Sequence, residues 1–532
     1  MKNIKKYIVT LGLLTAVVSC DNLQDLNVNP SFPVDVSAQA LMPPIQQQMA
    51  VGLQFDNRYL GRYVQYFSNA TAGNEWDRYG YVANNDQGGE IWKMAYFSLG
   101  LNITRMQEKA VAEERHDITG MAKVIRAWSW QVATDYHSEL IDFDQAFTQR
   151  MSFDYVGQEK VYAEILRLIN EGVTDLARTD GKVSASYAAV GDKMYNGDRA
   201  KWTKFAWGIV ARNLNNQINK STYNADAVIA ACDKSLASNT DNALINYNGS
   251  VSADSNFNGP GRNNISLFRQ TDFMVRVMDG TVFTGAVDPR MSRILAPSIG
   301  LSEASPASTA IPDPTKYTFV GNPLNTTASS TTSPSRIPNL WGTFSTGTVT
   351  TPGRYIFRDK ASFPIMTYAE IQFIKAEAAF KKGDKTLALA AYKKGIEASI
   401  DFVNLNTVVS TSYPITSAIT ATEKNTFLAN LNVVPAEANL TMSHIILQKY
   451  ISLFGFGNLE AWTDMRKYHY DNVNIYKTMA FPTLLSADNG GKLPYRVRPR
   501  FNSEYVWNFA SLQAIGADKV EYHTVEMWFS KP

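Results

Sequence analysis

Long apolar runs are nearly missing from this 532-residue chain. The stretch from Tyr7 to Val18 is greasy but falls far short of the roughly 20 residues that cross a bilayer, and no later run comes close to that length. A transmembrane helix is therefore excluded as the way this protein meets a membrane. A bias of charge is missing too. With 51 Lys and Arg against 49 Asp and Glu, there is no electrostatic case for nucleic acid or for a wide anionic surface as partner. Histidine is scarce, and His116, His137, His444, His469 and His523 show neither HExxH nor any other metal-ligand spacing. No GxSxG elbow and no P-loop occurs. Nothing calls for a cofactor or a metal, and an enzyme is the poorer reading. Glu139, Asp142 and Asp144 leave a glycosidase pair open, because its test is a separation of roughly 5 to 9.5 Å.

What is present begins at TAVVSC-DNLQDLNVNP, residues 15–30. Lys2, Lys5 and Lys6 precede the apolar run, which is the pattern of an export signal. Val17, Val18 and Ser19 then lead into Cys20, and this resembles the bacterial lipobox. The resemblance implies a signal peptide over 1–19, acylation of Cys20 (palmitate among the chains), and a mature body over 20–532. At about 0.8 kcal/mol per buried CH2, two or three acyl chains hold such a lipoprotein firmly on a membrane. Cys232, in AVIAACDKSL, is then the one remaining thiol. Disulfides, cysteine-based metal sites and redox pairs are excluded within one chain, and Cys232 reads as a small core residue.

The body reads as mainly α. In KWTKFAWGIVARNL, Trp202, Phe205, Ala206, Ile209 and Val210 fall on one helical face, and Asp198 behind Asn196-Gly197 is placed to cap it. Trp202 and Trp207 read as structural. In YAEIQFIKAEAAFKKGDKTLALAAYKKGIEASI, residues 368–400, Gly383 can stop one helix and Asp384 cap the next. Ala376, Ala388 and Tyr392 keep tetratricopeptide spacing, although Lys375 stands where that pattern wants Leu. Further helices are expected over 91–110, 119–137, 156–177, 225–237 and 441–455, so the fold is expected to be stacked helical hairpins. The exception is a long irregular excursion at about 302–353, rich in Ser, Thr and Pro yet carrying Tyr317, Trp341 and Phe344. It is expected to loop away from the body as a functional segment.

Several stretches in order, LNVNPSFP, YHSELIDFDQAF, YNGDRAKWTKFAWGIVAR, FPIMTYAEIQFIKAEAAFKKG and ILQKYISLFGFGNLEAWTDMRKYHY, resemble the SusD/RagB family of nutrient-binding outer-membrane lipoproteins, and more closely its SusD-like branch. WGIVAR and YHSEL depart locally from the family pattern. The resemblance implies a lipid-anchored protein on the extracellular face of the outer membrane. It also implies a SusC-like TonB-dependent transporter as partner and an oligosaccharide or peptide as ligand. Within these motifs Trp462 and Met465 are expected in the core, with Glu460, Asp464 and Arg466 tying a helix end through charge-assisted bonds. Glu370 is expected in the first turn of its helix.

A sugar ring has an apolar C–H face and a polar rim, so flat aromatics beside Asn, Asp and Arg suit it. NEWDRYGYVANN, residues 74–85, supplies Asn74, Trp76, Asp77, Arg78, Tyr79 and Tyr81 without helical periodicity. This is the first candidate ligand site, set against a buried aromatic hairpin as the structural alternative. Trp341 in the excursion is the second. The rival functions are a peptide-binding lipoprotein of the same family and a non-catalytic repeat scaffold.

Overall fold

The computed structural model describes residues 36–298, 317–328, 336–344, 352–411, 416–482 and 487–532. Cys20, the signal segment and much of the excursion lie outside the described residues. Helices of ten residues or more are numbered here in chain order: α1 Met42–Tyr63, α2 Gly100–Ala112, α3 His116–His137, α4 Gln158–Ala177 and α5 Arg199–Asn216. The rest are α6 Ala225–Lys234, α7 Tyr368–Lys382, α8 Lys385–Asn406, α9 Met442–Ser452 and α10 Asn458–Lys467.

Local chemistry sets these boundaries. The Asp198 carboxylate accepts from the backbone N–H of Ala200 and Lys201 at 2.9 and 3.1 Å, which satisfies two otherwise orphaned donors and starts α5. Gly383, at φ +91°, closes α7 in the left-handed region, and Asp384 then accepts from Leu387 N at 3.0 Å to open α8. From α2 to α8 each helix packs on the next, and α9 adds itself to α7. This is the expected stack of tetratricopeptide-like hairpins. At the α3–α4 crossing a Cβ on Gly120 would lie 2.7 Å from the Gly172 carbonyl oxygen, so glycine is what permits the close approach. Strands are short and form three antiparallel pairs among the described residues, Phe67–Asn69 with Phe268–Gln270, Leu140–Ile141 with Tyr155–Val156, and Ala243–Ile245 with Phe363–Met366.

The largely apolar core contains an ionic layer where α5, α7, α9 and α10 meet. Arg212 holds Glu370 at 2.5 Å and Glu460 at 3.0 Å. Glu377 meets Lys467 at 2.8 Å and Lys449 at 3.6 Å, and Asp464 pairs with both lysines at 2.9 Å. Removing one partner from such a layer leaves a buried charge uncompensated, at a cost of about 3 to 5 kcal/mol. Trp462 and Met465 are buried, as expected. Arg466 makes the expected charge-assisted tie, donating from its guanidinium to carbonyls. It stacks on the Trp462 ring at 3.7 Å and donates to the Trp462 and Tyr495 carbonyls, with no carboxylate partner.

The excursion is a correction, since its described pieces lie against the body. Asn322 bridges to Thr271 and Asn339 to Arg269, and Trp341 is buried.

Candidate functional site

The NEWDRYGYVANN stretch divides into two parts. Asn74 Oδ1 accepts from Arg62 Nη1 at 2.6 Å and from Trp76 N at 3.1 Å, which starts the 3-10 turn Trp76–Arg78. The turn drives Trp76 inward against α1. Its ring lies 4.8 Å from Tyr59 and 5.1 Å from Tyr63, and only 1% of the residue is exposed. Tyr79, at φ +60°, stacks parallel on Tyr63 at 5.5 Å, and its hydroxyl accepts from Gln65 Nε2 at 3.0 Å. Asp77 is fully buried, accepts from Asn69 N at 3.0 Å and sits 3.8 Å from Arg62. Burial pushes its carboxyl up to about 6 against the pull of Arg62. Arg78 pairs with Glu75 at the half-buried edge.

Trp76 and Tyr79 are therefore core rings, not stacking platforms. Their faces are taken by α1 aromatics that no local pattern could reveal. Trp341 is corrected in the same way, being 1% exposed with Nε1 donating to the Asn258 carbonyl at 2.7 Å. The two regions singled out in the sequence do meet. Asn322 Nδ2 donates to Ser68 Oγ at 2.9 Å, Gly73 N to Asn325 Oδ1 at 2.8 Å, and Ala328 N to the Ala70 carbonyl at 2.8 Å.

From Tyr81 onward the chain turns outward and forms one wall of a narrow, solvent-open cleft with a free volume of about 70 Å³. Val82, Asn84, Asn85, Asp86 and Gln87 line this wall, and Arg498, Arg500, Phe501 and Tyr505 line the other. Tyr81 sits at the base with little exposure, between the Arg498 guanidinium at 4.3 Å and the His523 ring at 5.0 Å.

Specific bonds hold the walls. Val497 N donates to the Tyr136 carbonyl at 3.0 Å and its own carbonyl meets His137 Nδ1 at 2.9 Å, so the second wall is fixed to the end of α3. Asp86 joins the two walls. It accepts from Asn502 N at 2.9 Å and Asn502 Nδ2 at 2.8 Å and pairs with Arg500. Behind the first wall, Ile91 N donates to Asp56 Oδ2 at 2.8 Å, and burial pushes the Asp56 carboxyl up to about 8. Behind the second, Trp92 Nε1 donates to Glu504 Oε1 at 3.0 Å.

Phe501 and Tyr505 stack at 5.7 Å on the cleft side. Two residues on, Trp507 is 73% exposed, which is unusual for the largest apolar side chain. The segment RVRPRFNSEYVW, residues 496–507, interleaves arginines with aromatics, and that was the available signal for the missed wall. Elsewhere, Tyr317 and Phe319 line an open groove with Arg293 and Glu423. Glu139 is engaged by Arg496 Nη1 and the Tyr522 hydroxyl, both at 2.7 Å. Among the described residues no cluster of His, Cys, Asp and Glu is arranged to hold a metal ion, and no helix is long and apolar enough to cross a membrane.

The fold has solved relatives. A SusD/RagB family protein from Bacteroides thetaiotaomicron aligns with 20% identity and a TM-score of 0.69, covering 93% of this chain and 99% of that one. A chitin-binding protein aligns with 18% identity and a TM-score of 0.69, again over 93% and 99%. A SusD homolog from Bacteroides fragilis gives 20% identity and a TM-score of 0.68 over 93% of this chain and all of that one. No curated protein matches the sequence. Residues 30–498 match the SusD-like family described as "Starch-binding associating with outer membrane", and the chain belongs to that family.

Proposed function

We propose that this protein is a surface lipoprotein that captures an oligosaccharide at the 81–89/497–505 cleft and hands it to a SusC-like TonB-dependent transporter. The observation that carries the reading is the cleft itself. A stacked aromatic pair faces a row of amides, and a sugar ring needs that pairing of apolar face and polar rim. Family membership supports the ligand class, and the chitin-binding relative supports a glycan over other nutrients.

Capture rather than cleavage fits the chemistry. Glu139 and Asp86 are both committed to arginine partners, which leaves neither carboxylate ready as an acid or a nucleophile. In this reading Cys20 carries the acyl anchor and the protein faces outward.

The test is a glycan array run beside a peptide library on the purified mature chain, followed by calorimetry on any hit with Phe501→Ala. A sugar hit weakened about tenfold, roughly 1.4 kcal/mol, agrees with the proposal. Peptide hits alone replace the sugar with a peptide ligand. Release of Cys20→Ala into the soluble fraction and co-purification with the transporter from mild detergent test the anchor and the partner.

A further inference from the structure

Most of the polar groups on the cleft walls are used within the protein, and what is left over has one character. Asp86 spends both oxygens on Asn502 and Arg500. Asn85 Oδ1 accepts from Gln87 N at 2.8 Å, and Gln87 Oε1 accepts from Trp76 Nε1 at 3.1 Å. Their amide NH2 groups have no partner among the described residues, and neither do Nε and Nη1 of Arg500 or either end of the exposed Asn84 amide. Among the side-chain groups with no partner at all, donors outnumber acceptors: the Asn85 and Gln87 NH2 groups and Arg500 Nε and Nη1 stand against Asn84 Oδ1.

The charge agrees. Two guanidiniums face the cleft against one carboxylate. Arg498 gives its donors to the Tyr505 hydroxyl and to the carbonyls of Ala517, Lys519 and Val520, so none of these bonds goes to a carboxylate. At the base, His523 is held well below the usual histidine range, first by burial and then by Arg498 and Arg496.

A neutral sugar hydroxyl gains only an uncharged bond from these unpartnered donors, and its own proton goes to water or a wall carbonyl. A carboxylate or sulfate ester presents only acceptors and gains charge-assisted bonds. We propose that the cleft selects an acidic sugar, a uronate or a sulfated residue, over its neutral counterpart. This rests on the oligosaccharide reading above.

The test is calorimetry of the full mature chain with three probes: a trigalacturonate, the neutral galactose trimer of the same linkage, and a sulfated galactose trimer. One acidic trimer is expected to bind at least tenfold more tightly than the neutral one, and which of the two does so distinguishes uronate from sulfate. That advantage should shrink as NaCl is raised, because exposed ion pairs are screened. Arg500→Gln should bring the acidic trimer to within threefold of the neutral one. Since Arg500 also helps tie the walls, Asn84→Asp is the second variant. It adds a negative charge to the rim at a residue with no internal bond to lose, and it should weaken the acidic trimer at least tenfold and the neutral one less than threefold. Equal or tighter binding of the neutral trimer overturns the acidic selectivity and leaves the oligosaccharide reading standing. Binding of none of the three, with a full glycan array also blank or with an acidic peptide bound instead, overturns both.

Discussion

Residues 74–79 and 81–87 are neighbours of similar composition, yet one segment is core and the other is the rim of a cleft. The first half meets aromatics of the body, because Trp76 enters between Tyr59 and Tyr63 on α1 and Tyr79 packs on Tyr63 and Phe481. Beyond Tyr81, which meets His523, the second half faces the 497–505 segment across a gap. Aromatic content by itself does not make a binding surface. What decides is whether the facing element has already used the ring.

The largest expected effect that sharpens this contrast is Trp76→Ala. Truncating a buried Trp costs about 3 to 5 kcal/mol, and a thermal melt should show a large drop. An unchanged melting temperature would break the comparison by placing Trp76 at the surface.

Gly88 sits where the halves pack together, at φ +74° with a Cβ position 2.8 Å from Trp76 Cη2. Gly88→Ala should cost about 1 to 3 kcal/mol from strain and overpacking, read in urea unfolding as a lower midpoint.

Asp77 and Asp86 are the carboxylates of the two halves, and only the first is fully buried. With a folded value of about 6 against an unfolded value of about 3.9, the folded state holds a proton on Asp77 more tightly than the unfolded chain does. Its contribution to stability is therefore greatest below about pH 4 and declines as pH rises through 6, by up to about 2 to 3 kcal/mol. Asp77→Asn should remove that part of the slope, and melting curves of both proteins between these pH values would show it. Parallel curves would refute the assignment.

The smallest expected effect is Trp507→Ala. A side chain this exposed has little packing to lose, so stability should move by less than about 0.5 kcal/mol. A larger shift in denaturant midpoint would mean the ring is covered in solution.

The helical body was largely legible in the sequence because its signals are local. Periodicity marked α5, and Asp198, Gly383 and Asp384 fixed ends through bonds to residues two to four positions away. The turn of π-helix at Met94–Ser98, inside a stretch expected to be one regular helix, left no such mark. The candidate site was legible as a region but not as residues. The covering of Trp76 and Trp341 and the pairing of Asp86 with Asn502 depend on contacts between distant parts of the chain, and neither composition nor spacing carries that information.

The tie from Asp86 to Asn502 spans 416 positions. The two walls are thus supplied by opposite ends of the chain, so the cleft exists only once both have been folded onto the helical stack. A chain cut before residue 497 would lack the second wall and so have no cleft. The same segment goes on to fill the core, with Met527 and Phe529 buried against Tyr162, so losing it would disturb the body together with the cleft.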